Sequence, residues 1–247
     1  MRLTEHVYLV GSGAASGFGL SGELDSHIYL IDGGTELALV DCGMGDSFEQ
    51  VMANVASDGL DRSRIRHLTL THYHADHAGG ASRFREELGV AVHAAAAAAA
   101  ALSSGDEEAT GLSVAKRAGF YPADYHFDPC PVDDEMSDGD RLAIGDLLLR
   151  VLETPGHCSG HLCFMLETPD RRHLFSGDCV FAGGRILLQS IPDCDIGAYA
   201  TSIGRLAAED FEALLPGHGI FTVRGGKRHI ETANEGFKRL FLPPNLV

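Results

Sequence analysis

The stretch Thr71-His72-Tyr73-His74-Ala75-Asp76-His77-Ala78-Gly79-Gly80 places three imidazoles and a carboxylate within six residues. Such groups are expensive to bury without partners, so a core would not be built from them. His72 and His74 are two apart. Where a strand ends, residues so spaced point to the same side, and both imidazoles can reach one cation. Asp76 and His77 fall where the chain turns into a helix and can reach a second. Gly79-Gly80 let the backbone pass close to such a site. Three later segments each end an apolar strand in a tight turn that presents a ligand: Thr154-Pro155-Gly156-His157, Ser176-Gly177-Asp178 and Pro216-Gly217-His218-Gly219. Imidazole and carboxylate ligands suit zinc, with iron or manganese as alternatives. Two neighbouring dications lower the pKa of a shared water toward neutrality and generate a hydroxide nucleophile. The expectation is a centre of two zinc ions per chain. Its ligands are His72, His74, Asp76, His77, His157, Asp178 and His218, and Asp76 also serves catalysis by orienting the hydroxide.

Composition sets the boundaries. The 247 residues are 45% hydrophobic and 22% charged, ordinary values for a globular protein long enough to bury a large core. A formal charge of −16 is the wrong sign for gripping a phosphate backbone or an anionic membrane. Nucleic acid and membrane are therefore set aside in favour of a small-molecule substrate. No apolar run has the length of a membrane span, and the first residues lack the pattern of a signal peptide, so a cytoplasmic protein is expected. None of the six cysteines forms a C-x-x-C pair, and they read as reduced thiols. Cys158 and Cys179 follow two of the proposed ligands directly and read as small buried residues.

The elements that must position these groups are legible in outline. Apolar strands are expected at residues 7–10, 27–31, 37–41, 65–70, 90–93, 147–153, 162–166, 173–176 and 213–215. Gly33-Gly34 signals a hairpin, and Gly11–Gly22 reads as a mobile loop. Helices are expected from Phe48, with Asp46 as cap, and over 79–88, 94–101, 112–119, 195–208 and 225–240. Tyr121–Asp140, with three prolines and many acids, reads as loop. No repeat or linker divides the chain, so a single domain over 1–247 is expected. Strands followed by helices in both halves suit an α/β fold with two sheets packed face to face and helices outside.

The run His72-x-His74-x-Asp76-His77, with His157, Asp178 and His218 behind it, resembles the metallo-β-lactamase superfamily from about Val7 to Gly219. The resemblance implies a four-layer αβ/βα sandwich of two mixed β-sheets. It also implies His72, His74 and His157 on one metal, Asp76, His77 and His218 on the other, and Asp178 as the bridge. Class B β-lactamases lack that bridging aspartate, so β-lactam hydrolysis is not the expected main activity. The run Ser176-Gly177-Asp178-Cys179-Val180-Phe181-Ala182-Gly183-Gly184-Arg185 resembles hydroxyacylglutathione hydrolases, which cleave thioesters. Only 29 residues follow His218, too few for the helical domain with which those enzymes hold glutathione. Asp76-His77-Ala78-Gly79-Gly80 is similar to the lactonase branch, whose tyrosine beyond the bridging aspartate has Tyr199 as its nearest counterpart. Tyr199 itself reads as a structural aromatic on its helix.

The interval between His77 and His157 is long for this family. Residues 94–140 are therefore expected to be an insertion forming a cap or a dimer contact in a homodimer, with Tyr121, Tyr125 and Phe127 lining an acyl pocket. His27, on an early strand, reads as a structural histidine. The expected function is hydrolysis of a thioester, lactone or similar ester by a metal-bridging hydroxide. The alternative is a mononuclear non-haem iron dioxygenase of the persulfide type, with His72, His157 and Asp178 on the iron. A third reading is a catalytically silent binding protein on the same scaffold.

Overall fold

The computed structural model describes residues 1–246, which divide into two compact units. The first is Met1–Met136 with Ile144–Asp146, and the second is Ser137–Ala143 with the chain from Leu147 onward.

The first unit is built on a six-stranded mixed sheet in sequence order: β1 (Val7–Gly11), β2 (Ile28–Asp32), β3 (Leu37–Val40), β4 (Ile65–Thr69), β5 (Ala91–Ala95) and β6 (Asp134–Met136). The β1–β2 and β2–β3 pairs are antiparallel, the latter across the Gly33-Gly34 turn. The β3–β4, β4–β5 and β5–β6 pairs are parallel. β1 and β3 are buried at every residue, and β2 at all but its last. Such unbroken apolar runs are the mark of strands covered on both faces. Helix α1 (Phe48–Ser57) buries Phe48, Val51, Met52 and Val55, one helical stripe. A single helical turn α2 (Ala75–Ala78) and helix α3 (Ala81–Leu88) follow β4, and Gly89 closes α3 in the left-handed conformation. Helices α4 (Ala96–Ser104) and α5 (Leu112–Arg117) come after β5.

Three local expectations change. Helix α1 has Ser47, not Asp46, at its cap position, and no side chain caps it. The Ser47 hydroxyl is engaged by the Asp25 carboxylate, which also accepts from the amides of Gly22 and Met44. The alanine run is split: its first two members finish β5 and the helix starts at Ala96. Pairing of Ala94 and Ala95 to β6 outweighs alanine's helix propensity there. A short strand, β6, lies inside the expected loop 121–140. It has little apolar pattern of its own, and its register with His93–Ala95 is set by the partner strand.

The second unit carries a five-stranded mixed sheet in the order β11 (Ala213–Pro216), β10 (Arg172–Gly177), β9 (Leu162–Glu167), β8 (Leu147–Glu153), β7 (Arg141–Ile144). β8–β9 and β9–β10 are antiparallel, and β10–β11 is parallel. Its core gathers Leu152, Met165, Leu174 and Leu214 from the sheet with Tyr199, Ile203 and Leu206 of α6 (Ile196–Leu206) and Ile230 of α7 (Lys227–Lys238). Each such aliphatic side chain contributes about 1.5–3 kcal/mol by leaving water. Asp195 caps α6 by accepting from the Ala198 amide. The Gly11–Gly22 loop is tied down: the Gly13 amide and the Ser16 hydroxyl both donate to the Asp25 carbonyl. Cysteines are free thiols throughout the described residues, and Cys158 and Cys179 are fully buried, as expected. No helix among the described residues is long and apolar enough to cross a membrane.

Candidate metal centre

In the first unit, the turn that bears the candidate ligands leaves the C-terminal end of β4. Its backbone is held by the loop after β3 and by the segment just before β2. The Cys42 amide donates to the His77 carbonyl, Gly80 donates to the Gly43 carbonyl, and Ser26 donates to the Asp76 carbonyl. A methyl group at Gly80 would lie 2.8 Å from the Cys42 carbonyl oxygen and 2.8 Å from the Gly45 Cα, so the close approach that requires this glycine is to the backbone of the loop after β3.

The imidazoles of His72, His74 and His77 are buried, and hydrogen bonds orient those of His72 and His77. Asp41, a non-glycine residue at φ 63°, is the organiser. Its carboxylate accepts from the Thr71 amide at 2.7 Å and from the Thr71 hydroxyl at 2.8 Å. It also accepts from His77 Nδ1 at 2.8 Å. Because the Thr71 hydroxyl proton goes to Asp41, the Thr71 oxygen accepts from His72 Nδ1 at 3.0 Å. The Nε2 atoms of His72 and His77 are thereby left as bases, the arrangement found where a second hydrogen bond orients a metal-ligating histidine. A non-glycine backbone in the left-handed region that is kept in place by three side-chain bonds points to a functional demand.

Distances within this set match shared coordination. His72 Nε2 and His74 Nδ1 are 3.1 Å apart, and His77 Nε2 lies 3.6 Å from Asp76 Oδ2. Two ligand atoms each about 2.0–2.1 Å from one tetrahedral zinc stand about 3.3 Å apart. Asp76 Oδ1 accepts from the Tyr121 hydroxyl at 2.7 Å.

The second unit presents three further side chains. His157 Nε2 is 3.6 Å from Asp178 Oδ2, and His218 Nε2 is 3.4 Å from the same oxygen. His157 is fully buried and its Nδ1 donates to the Leu187 carbonyl at 2.9 Å, which turns Nε2 toward Asp178. The Pro-Gly turn that carries it needs Gly156: φ is 144°, and a Cβ would lie 2.6 Å from the Tyr199 Cα on α6. The Asp178 turn is fixed from two directions. Tyr199 donates its hydroxyl proton to the Asp178 carbonyl at 2.6 Å, and His161 Nε2 accepts from the Asp178 amide at 3.1 Å. Burial pushes the Tyr199 hydroxyl well above its ordinary pKa, so it stays a neutral donor. His161 Nδ1 in turn donates to Thr154 Oγ1 at 2.9 Å.

The donor set therefore fits divalent cations. Carboxylates set beside imidazoles out of water are a donor set whose negative charge a bound cation offsets. Within their own units the seven expected side chains group as His72, His74, Asp76 and His77 in one, and His157, Asp178 and His218 in the other. His27 is engaged elsewhere, its Nδ1 3.0 Å from the Ser12 hydroxyl. Asp41, Thr71 and His161 were not singled out for a role from the sequence. A carboxylate ending the apolar run 37–40, and a histidine four residues after His157, were the available signals. Cys179 is fully buried, and the neighbouring Cys163 sulfur and burial both push its thiol upward.

Residues 21–218 match the family described as the metallo-beta-lactamase superfamily. The chain belongs to that superfamily. An acyl-coenzyme A thioesterase MBLAC2 of Gallus gallus is 31% identical over 82% of this chain and 75% of its own length. An atrochrysone carboxyl ACP thioesterase of Aspergillus chevalieri is 29% identical over 89% of this chain. The chain spans only 58% of that relative's length. Among solved structures, a metallo-beta-lactamase of Cronobacter sakazakii with a HARLDQ motif aligns with a TM-score of 0.75 at 21% identity, covering 97% of this chain and 96% of its own. That likeness fixes the fold: the α/β fold of metallo-β-lactamases, with two mixed sheets and helices, as the ligand run in the sequence implied.

Proposed function

We propose that this chain is a metal-dependent hydrolase of acyl thioesters with a two-metal centre. The class, a metal-dependent hydrolase, is supported by family membership and by relatives named as thioesterases. The observation that carries the two-metal reading is the ligand-atom spacing of 3.1–3.6 Å in both ligand sets, with the far nitrogens of His72, His77 and His157 tied back. In this reading His72, His74 and His157 would hold one ion, Asp76, His77 and His218 would hold the other, and Asp178 would be shared between them. Zinc is the proposed metal.

Bound there, the two cations would acidify a shared water and polarise the substrate carbonyl. The protein's own part is positional. Asp41 and Thr71 keep the imidazole tautomers, while Tyr199 and His161 keep the Asp178 turn. Asp76, with one oxygen held by Tyr121, orients the attacking water as the catalytic carboxylate. A thioester suits such a site because the departing thiolate needs little help: a thiol ionises near pH 8.5.

The test uses the full chain loaded with zinc, with bound metal counted per chain. Thiol release from short- and long-chain acyl-coenzyme A is compared with hydrolysis of p-nitrophenyl esters and acyl-homoserine lactones. Thiol release should be the fastest, and removing the metal should abolish it. Lactone opening outpacing thioester cleavage would move the substrate class. One iron per chain with oxygen uptake would replace the proposal by the dioxygenase reading. Inactivity on every substrate with two metals bound would leave a binding protein.

A further inference from the structure

The segment after α4 stays close to the ligand turn. A Cβ built on Gly111 would sit 4.0 Å from His74 Nε2. Ten residues on, Tyr121 donates its hydroxyl proton to Asp76 Oδ1 at 2.7 Å. Tyr125, four residues further, donates instead to the Met44 carbonyl at 3.1 Å, and Phe127 is buried. Of the three aromatic residues expected to line an acyl pocket, then, two are engaged in holding the segment down, and one grips a ligand carboxylate. The segment has its own internal frame: Lys116 Nζ lies 2.7 Å from Glu107 Oε2, and Glu107 also accepts from the Phe127 amide at 3.4 Å.

A carboxylate that coordinates through one oxygen is free to swing unless its other oxygen is held. Asp76 Oδ2 is the oxygen near His77 Nε2, at 3.6 Å, and Oδ1 is the one that Tyr121 holds. We infer that Tyr121 is a positioning residue: by fixing Asp76 Oδ1 it aims Oδ2 at the cation shared with His77, and it makes the segment from Gly105 to Asp128 part of that half of the centre. The inference rests on the two-metal reading above and adds a residue that the ligand motif does not contain.

The experiment is titration of the metal-free full chain with zinc against a competing chelator, and with cobalt followed by its visible absorption. Wild type should bind two equivalents. In Tyr121→Phe, one equivalent should weaken about 10–100-fold while the other keeps its affinity, the range usual for lost partners of metal ligands. The cobalt bands of the weakened equivalent should shift, because the carboxylate geometry around it changes. Tyr125→Phe, a substitution of the same kind in the same segment, should bind both equivalents as wild type does. The inference is overturned if Tyr121→Phe binds both equivalents normally, if both weaken together, or if Tyr125→Phe has the same effect. Fewer than two equivalents on the wild-type chain would instead defeat the two-metal reading, and the inference with it.

Discussion

Asp41 concentrates more of the centre's geometry than any ligand does. One carboxylate accepts three hydrogen bonds, two from Thr71 and one from His77, and sits in a backbone region that side chains other than Asn, Asp and Gly avoid. Asn tolerates that backbone but offers an amide where His77 Nδ1 and the Thr71 hydroxyl need an acceptor. Asp41→Asn should therefore fold, yet bind metal about 10–100-fold more weakly in chelator competition. Unchanged affinity would mean that the tautomer of His77 does not depend on Asp41. At this scale the sequence was informative about the proposed ligands and silent about their holders. A ligand announces itself by residue type after a strand. Its holder is an ordinary Asp, Thr or His that becomes meaningful only when the chain brings it within 3 Å.

Helix α6 shows how an element without ligands serves the centre. Its Tyr199 bonds the Asp178 carbonyl, its backbone packs on Gly156, and its cap is Asp195. Removing the cap by Asp195→Ala should destabilise the protein by about 1 kcal/mol. That corresponds to about 2–4 °C in Tm for a chain of this size, read from a thermal melt of the metal-free protein. A Tm equal to wild type would show that the Asp195 side chain does not anchor the helix start. The reading of Tyr199 as a structural aromatic holds, with the addition that its hydroxyl is pinned at the ligand turn. Strand β6 marks the opposite case. Residues 134–136 offer no alternation worth the name, and only pairing to β5 makes them a strand. Period-2 pattern reports burial, not hydrogen bonding, so an edge strand with exposed side chains escapes it.

For the molecule as a whole, stability should depend on pH through histidines buried away from the ligands. His93 on β5 is buried, with Nε2 3.0 Å from His67 Nδ1 and Nδ1 3.2 Å from Asp134 Oδ2. Burial first, and His67 second, hold its pKa below the ordinary value. Below about pH 6.5 the unfolded chain then takes up a proton that the folded one resists. The unfolded state binds more protons in that window, so stability falls as pH drops through it and is independent of this group above it. Urea midpoints of the metal-free protein at about pH 7.5 and about pH 5.5 should fall less for His93→Gln than for wild type. Equal falls would assign the dependence to other groups. The sequence by itself determined the superfamily, and it supplied the strand-turn segments and the seven side chains proposed as ligands. These rest on residue type and local spacing, which the chain carries wherever it goes. Tertiary structure alone decided that Asp41 reaches Thr71 and His77, that Tyr121 reaches Asp76, that His161 meets the Asp178 amide, and that β6 joins the sheet. Each is a contact across many residues with no periodic signature, fixed only when burial forces polar groups to find partners near them.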